Sequence, residues 1–339
     1  MEKNIRNNNL DLLKVIAVIF VLICHYLNKN MGGAFGKVEL NSLNYYLSYF
    51  LESIAIISVN LFVLISGYFL IDKNEIKISK ICSLLITTIF YCTVIYLIFL
   101  ILGYCTFTLD SIIDYVKSIL SFWFVYIYII MYLLSPFLNK LLNNLNKKQY
   151  MNLILIFFIF FSLWPSFIND LTVKDSGYGI INFILLYMLA GYQKRYKQES
   201  KKIYYVYYIL CVMMTFLFSL ITSRAFHYNF VFNILSSLFL FKIFLKFNFK
   251  NKFIYKLSKH SFSIYIIHLQ PLLVPVFFNK IFRCQDYYNS NFFILHLIIT
   301  VIGIYFICLI IDLLKEKLLD NIINKILKKI KILNFTIKI

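Results

Sequence analysis

The chain has 339 residues, 61% of them hydrophobic and only 14% charged, and its mean hydropathy is +0.78. A soluble domain carries about 45–50% apolar residues, so a water-exposed globule is excluded, and the absence of period-2 alternation excludes a membrane barrel. The formal net charge of +19 raises a nucleic-acid reading, which its distribution along the chain removes. Apolar windows of about 18–25 residues, the length that crosses a bilayer, recur throughout. About ten spans are predicted, at 10–28, 45–71, 81–103, 118–138, 150–168, 178–193, 203–222, 229–247, 259–282 and 291–314. The expected fold is an all-α, polytopic integral membrane bundle.

Lysine and arginine crowd alternate loops. Lys73, Lys77 and Lys80, then Lys194 to Lys202, then seven lysines after residue 314, share a side with the N-terminus. The opposite loops carry only Lys29, Lys37, Lys117, Lys174, Arg224 and Arg283. By the positive-inside rule both termini of a multi-pass membrane protein are expected in the cytoplasm. The basic charge is then mainly a topology signal, with anionic lipid or an anionic cofactor as secondary contacts and no nucleic acid. The first apolar run is too long for a signal h-region and lacks a small-residue cleavage site, so it is expected to remain as an anchor. Residues 1–314 form the expected membrane domain. Residues 315–339 read as a basic amphipathic cytoplasmic tail, with Leu318, Ile322, Ile326 and Ile330 recurring every four positions. Cys105 and Cys284 both fall in predicted outer loops, which leaves a disulfide between them open. The histidines are scattered without ligand spacing, so no metal site is expected.

Four segments carry polar groups into apolar surroundings, where ionisable residues are costly and usually line a protein interior or a water-filled path. In the first span Asp11, Lys14 and His25 share a stripe, with Lys14 and His25 about 16 Å apart along the axis. His25 either hydrogen-bonds a backbone carbonyl near the interface or serves as a base; Lys14 either snorkels or binds. The second span holds Glu52, a carboxylate placed to meet a histidine or a sugar hydroxyl, and ends in Ser66-Gly67, a packing notch or a functional step. The fourth opens with Trp123 and Tyr126, aromatics that stack on sugars or anchor helices, and has Ser135-Pro136 at its inner end, where proline stops or kinks a helix. The ninth carries His268 and Gln270 ahead of Pro271 and Pro275, the wall of a polar cavity or a kinked packing helix.

In order and placement these segments resemble the acyltransferase 3 family of membrane acyltransferases. The matching motifs are Asp11, Lys14 and His25 in the first span, and Phe62, Ser66, Gly67 and Tyr68 at the end of the second. Phe122, Trp123, Phe124 and Tyr126 open the fourth, followed by Leu134-Ser135-Pro136, and Ser263, Tyr265 and His268 come late. The resemblance implies transfer of an acyl group, most often acetyl, from cytoplasmic acyl-CoA (acetyl-CoA) to a hydroxyl of a cell-surface or capsular polysaccharide or its lipid-linked precursor. It implies a catalytic His25 supported by Asp11 and Glu52. Lys14, Lys77, Lys80 and Ser66 are the expected cofactor-binding residues, and Trp123, Tyr126, His268 and Gln270 those for the carbohydrate acceptor. Lysines stand at 14, 77 and 80 where many members have arginine, which replaces a bidentate phosphate grip by a point charge. The alternative is an exporter or flippase of a polysaccharide or lipid-linked sugar that does no acyl-transfer chemistry.

Overall fold

The computed structural model describes residues 8–168, 174–196, 202–248, 250–329 and 335–338, with 319–329 and 338 described by backbone only. In chain order the helices are α1 (Asn9–Leu27), α2 (Ala34–Lys37), α3 (Leu43–Ala55), α4 (Ser58–Leu70), α5 (Ile78–Ile101), α6 (Leu109–Leu120), α7 (Trp123–Asn143), α8 (Lys147–Phe158), α9 (Trp164–Phe167), α10 (Ile180–Arg195), α11 (Ile203–Ser219), α12 (Val231–Lys246), α13 (Lys252–Lys259), α14 (Ser261–Leu269), α15 (Leu273–Pro275) and α16 (Phe293–Lys329). Two short strands, β1 (Glu75–Lys77) and β2 (Thr336–Lys338), two π-helical turns (Ile159–Leu163 and Val276–Ile281) and two 3-10 turns (Ser223–Phe226 and Cys284–Asp286) complete the described elements.

Every expected apolar segment is helical. Among the described residues seven helical stretches are long and apolar enough to cross a membrane, and α14 with its bent continuation Leu273–Ile281 makes an eighth when counted as one span. The expected segments at 178–193 and 203–222 are α10 and α11, of 16 and 17 residues, shorter than the roughly 20 that a hydrocarbon core requires. The outward faces are apolar: Ile98 and Ile101 on α5, Ile156 on α8, and Ile299 and Ile302 on α16 are all exposed. In water such faces would aggregate; in a bilayer they meet lipid tails.

α1 runs through the middle and packs against α3, α4, α12, α13, α14 and α16. Its burial explains why one helix can carry Asp11, Lys14 and His25: all three face protein or cavity rather than lipid. α4 lies beside it and contacts α7, α10 and α12. The Ser66-Gly67 notch is a point of close approach, since a Cβ on Gly67 would stand 3.1 Å from the Tyr187 backbone and 3.2 Å from Ala190 Cβ.

Helix breaks shape the interior. The expected single segment 45–71 is α3 and α4 joined through Ile56-Ile57. The fourth span begins at Trp123, and α6 precedes it as a separate amphipathic helix with a Thr108/Ser111 capping box. Pro136 does not stop α7, which runs on to Asn143. Proline removes the amide that would bond the Tyr132 carbonyl; the Ser135 hydroxyl donates to that carbonyl instead, at 2.8 Å. At Pro271 the chain turns by 89° between α14 and its continuation. The buried Gln270 side chain accepts from the amides of Leu272 (2.7 Å) and Leu273 (3.3 Å), so the break leaves these donors paired.

α16 extends without interruption to Lys329, and β2 then pairs antiparallel with β1, Ile337 opposite Ile76. Leu318 is exposed; the remainder of the expected amphipathic face, at Ile322, Ile326 and Ile330, falls on residues whose side chains lie outside the described set. Cys105 and Cys284 are both free thiols, Cys284 buried, so the disulfide left open by the sequence does not form.

Candidate active site

The last turn of α1 and the C-terminal half of α14 bring His25 and His268 together. Their rings face each other with His25 Nδ1 2.8 Å from His268 Nε2 and centroids 5.0 Å apart. His268 is fully buried, and its Nδ1 lies 2.6 Å from the Ile264 carbonyl. A carbonyl only accepts, so His268 carries its proton on Nδ1 and, when neutral, presents a lone pair at Nε2. His25 must then donate from its own Nδ1, which leaves the lone pair of His25 on Nε2. The outer histidine is thereby held in the tautomer of a general base, oriented by the inner one.

His25 lines a cavity of about 430 Å³ together with Asn30, Trp123, Tyr265, Pro271 and Asn279. The Pro271 break opens this space by swinging the chain away from the axis of α14. On the far side of Tyr265 a second cavity, of about 310 Å³, is lined by Lys14, Ser66, Lys80, Tyr128 and Ser261. A third, of about 560 Å³, opens among Lys73, Lys77, Lys80, Glu75 and Tyr132. Lys80 borders the second and third cavities, and Tyr265 borders the first and second. The three spaces thus follow one another from the lysine-rich end of the bundle to the histidine pair.

Three lysines, Lys73, Lys77 and Lys80, line the third cavity beside Asp72 and Glu75, and Asp72 is paired with Lys194 at 2.6 Å. The Lys80 ammonium stands over the Tyr132 ring at 4.4 Å and the Tyr128 ring at 5.3 Å, a cation–π setting that keeps it pointed inward. Partial desolvation, followed by the neighbouring Lys80, Lys77 and Lys194, holds Lys73 below the usual lysine range, with Glu75 opposing. Lys77 pairs with Glu75 at 3.4 Å, and its backbone amide donates to Tyr132 Oη at 2.9 Å. The loop is fixed from α7: the buried Asn139 amide donates to the carbonyls of Leu70 (2.9 Å) and Lys73 (2.8 Å), and Tyr187 donates to Asn139 at 2.6 Å. Mutual repulsion of this kind is relieved by an anion, so Lys14, Lys73, Lys77 and Lys80 are the residues that could hold an anionic cofactor.

Other predicted residues do not line the His25 cavity. Asp11 lies 14 positions before His25 on α1, about 21 Å along the axis. It is buried and accepts from Asn8 (3.0 Å) and from Ser258 of α13 (3.1 Å). Glu52 is buried with one oxygen unpartnered, beside the Cys24 thiol, and is not among the residues lining the His25 cavity. Tyr126 turns away from Trp123 and donates to the Ile119 carbonyl of α6 at 3.0 Å. Gln270 caps the helix break rather than facing the cavity centre. Trp123 keeps its place on the cavity wall, backed by Tyr178 at 4.5 Å and Tyr228 at 5.8 Å.

Sequence reasoning put His25 and His268 in different roles, gave Tyr265 a place in the late motif but no role, and passed over Asn139. Periodicity within one helix carries no information about pairing between α1 and α14. The signal for Tyr265 was its spacing: three residues before His268, it shares that residue's face.

No curated protein and no solved structure matches the chain. A family model described as an acyltransferase domain matches residues 7–313. That stretch contains the histidine pair, the cavities and the lysine loop, and the chain belongs to this acyltransferase family, acyltransferase 3, as a multi-pass membrane acyltransferase.

Proposed function

We propose that the enzyme moves an acetyl group from acetyl-CoA to a hydroxyl of a surface or capsular polysaccharide, or of its lipid-linked precursor, in a bacterial plasma membrane. The observation that carries this reading is the contact of His25 Nδ1 with His268 Nε2 at 2.8 Å on a cavity wall; with His268 Nδ1 against the Ile264 carbonyl, it leaves Nε2 of His25 to take a hydroxyl proton. The basic loops favour a cytoplasmic lysine-rich end, and a coenzyme phosphate group suits the crowded ammoniums there. The acyl arm then extends past Lys80 and Lys14 toward Tyr265. The acceptor enters from the opposite side, where Trp123 offers a ring face to a sugar and Asn30 and Asn279 offer hydrogen bonds.

In the reaction the acceptor oxygen attacks the thioester carbonyl carbon as His25 Nε2 removes its proton. His268 accepts a stronger hydrogen bond from Nδ1 of the resulting imidazolium. Collapse of the tetrahedral intermediate expels the coenzyme thiolate, which takes the proton back from His25. The products are an O-acyl sugar and free thiol. Asp11 is assigned to anchoring α13 on α1, and Glu52 to the protein wall behind Trp123. The test is His25→Ala, with release of coenzyme thiol from acetyl-CoA and ester content of the surface glycan as readouts. Loss of both in a variant that still reaches the membrane is expected; retained transfer would overturn the proposal.

A further inference from the structure

Tyr265 projects from α14 one turn before His268, with ring centroids 6.3 Å apart. It is the residue common to the Lys14/Lys80 cavity and the His25/Trp123 cavity. Phe124 at 5.7 Å and Phe122 at 6.1 Å pack edge-on against its ring and fix where it points. Its hydroxyl is buried with no partner at hydrogen-bond geometry, and the Phe124 backbone is the polar group beside it. A buried hydroxyl without a partner costs about 1–3 kcal/mol, and such a group in a native structure calls for a ligand or a catalytic role.

We propose that the Tyr265 hydroxyl is the oxyanion donor of the acyl transfer. This rests on the reading above, in which an acyl arm and an acceptor hydroxyl approach from opposite cavities and meet beside this ring. When the acceptor oxygen bonds to the carbonyl carbon, the carbonyl π electrons move onto its oxygen. The neutral phenol donates a hydrogen bond to that oxyanion and keeps its own proton. When the carbonyl re-forms and the carbon–sulfur bond breaks, the phenol is released unchanged. A donor already oriented and already stripped of water gives its stabilisation only where charge develops.

The test is Tyr265→Phe in the full-length protein in nanodiscs, with acetyl-CoA as donor and alkali-de-esterified surface polysaccharide as acceptor. Removing one oxyanion donor lowers kcat by roughly 100- to 1000-fold, and KM for acetyl-CoA is expected to stay near wild type. Because the hydroxyl has only the Phe124 backbone beside it in the resting protein, the thermal midpoint is expected to stay near wild type; a merely structural role would lower the midpoint and leave kcat alone. A Tyr265→Phe enzyme with kcat within threefold of wild type, beside an inactive His25→Ala, overturns the oxyanion role and leaves the acyl-transfer reading standing. Activity retained by His25→Ala overturns both.

Discussion

Replacing His268 by leucine removes the acceptor of the His25 Nδ1 proton and little volume. The bond it removes is 2.8 Å long and fully enclosed on the His268 side. In the resting enzyme it is a neutral hydrogen bond. In the transition state His25 is cationic and the bond is charge-assisted, worth about 1.5–3 kcal/mol. Only the increment over the resting bond, about 1–1.5 kcal/mol, lowers the barrier, so at about 1.4 kcal/mol per decade the expected loss in kcat is roughly 5- to 12-fold. KM for the donor is expected to stay constant, because the lysine cavities are untouched. His268→Gln is the control: its side-chain carbonyl can stand near the position of Nε2 and accept the same proton. It is expected to recover most of the lost kcat, while both variants reach the membrane in equal amount. The assay is initial-rate release of coenzyme thiol from acetyl-CoA by purified protein in nanodiscs. Wild-type kcat in His268→Leu, or equal loss in both variants, would show that the inner histidine does not orient the outer one.

Three further outcomes follow from other parts of the molecule. Lys80→Ala should raise KM for acetyl-CoA by roughly 10- to 100-fold, the weight of one charge-assisted bond, with Lys80→Arg close to wild type; unchanged KM would remove Lys80 from the donor path. A polyanion should favour the charged form of Lys73 and raise a pKa that desolvation and its lysine neighbours now depress, so coenzyme binding at alkaline pH should take up protons, and calorimetry in buffers of different ionisation enthalpy would show none if the cluster is not the site. Gly67→Val should lower the thermal midpoint, since its Cβ would press on Tyr187 and Ala190 at 3.1 and 3.2 Å and overpacking costs about 1–3 kcal/mol; an unchanged midpoint would mean that α10 yields freely.

The C-terminal strand adds a tertiary constraint on the lysine loop. β1 carries Lys77, and its buried Ile76 pairs with Ile337 of β2. The same loop is tied to α7 through Asn139 and Tyr132. Removing residues 335–339 should therefore raise donor KM severalfold with kcat preserved, because α7 still holds the loop in place; equal loss of kcat would point to a wider unfolding.

The sequence by itself determined the all-α membrane class, because an apolar run needs no partner to declare its length. It also marked the polar positions, since Asp11, Lys14, His25, Glu52 and His268 are conspicuous against leucine and isoleucine. Only the tertiary structure decided which of these work together. His25 and His268 are 243 positions apart, and a helical stripe says which face is polar without saying which face it meets. The same limit let Asp11 be grouped with His25, although Ser258 of another helix is its actual neighbour. It also hid Asn139, whose partners are the carbonyls of a distant loop and the Tyr187 hydroxyl of another helix. The β1–β2 pair was invisible for a related reason: three-residue strands have no period to read, and register between chain ends is settled by packing.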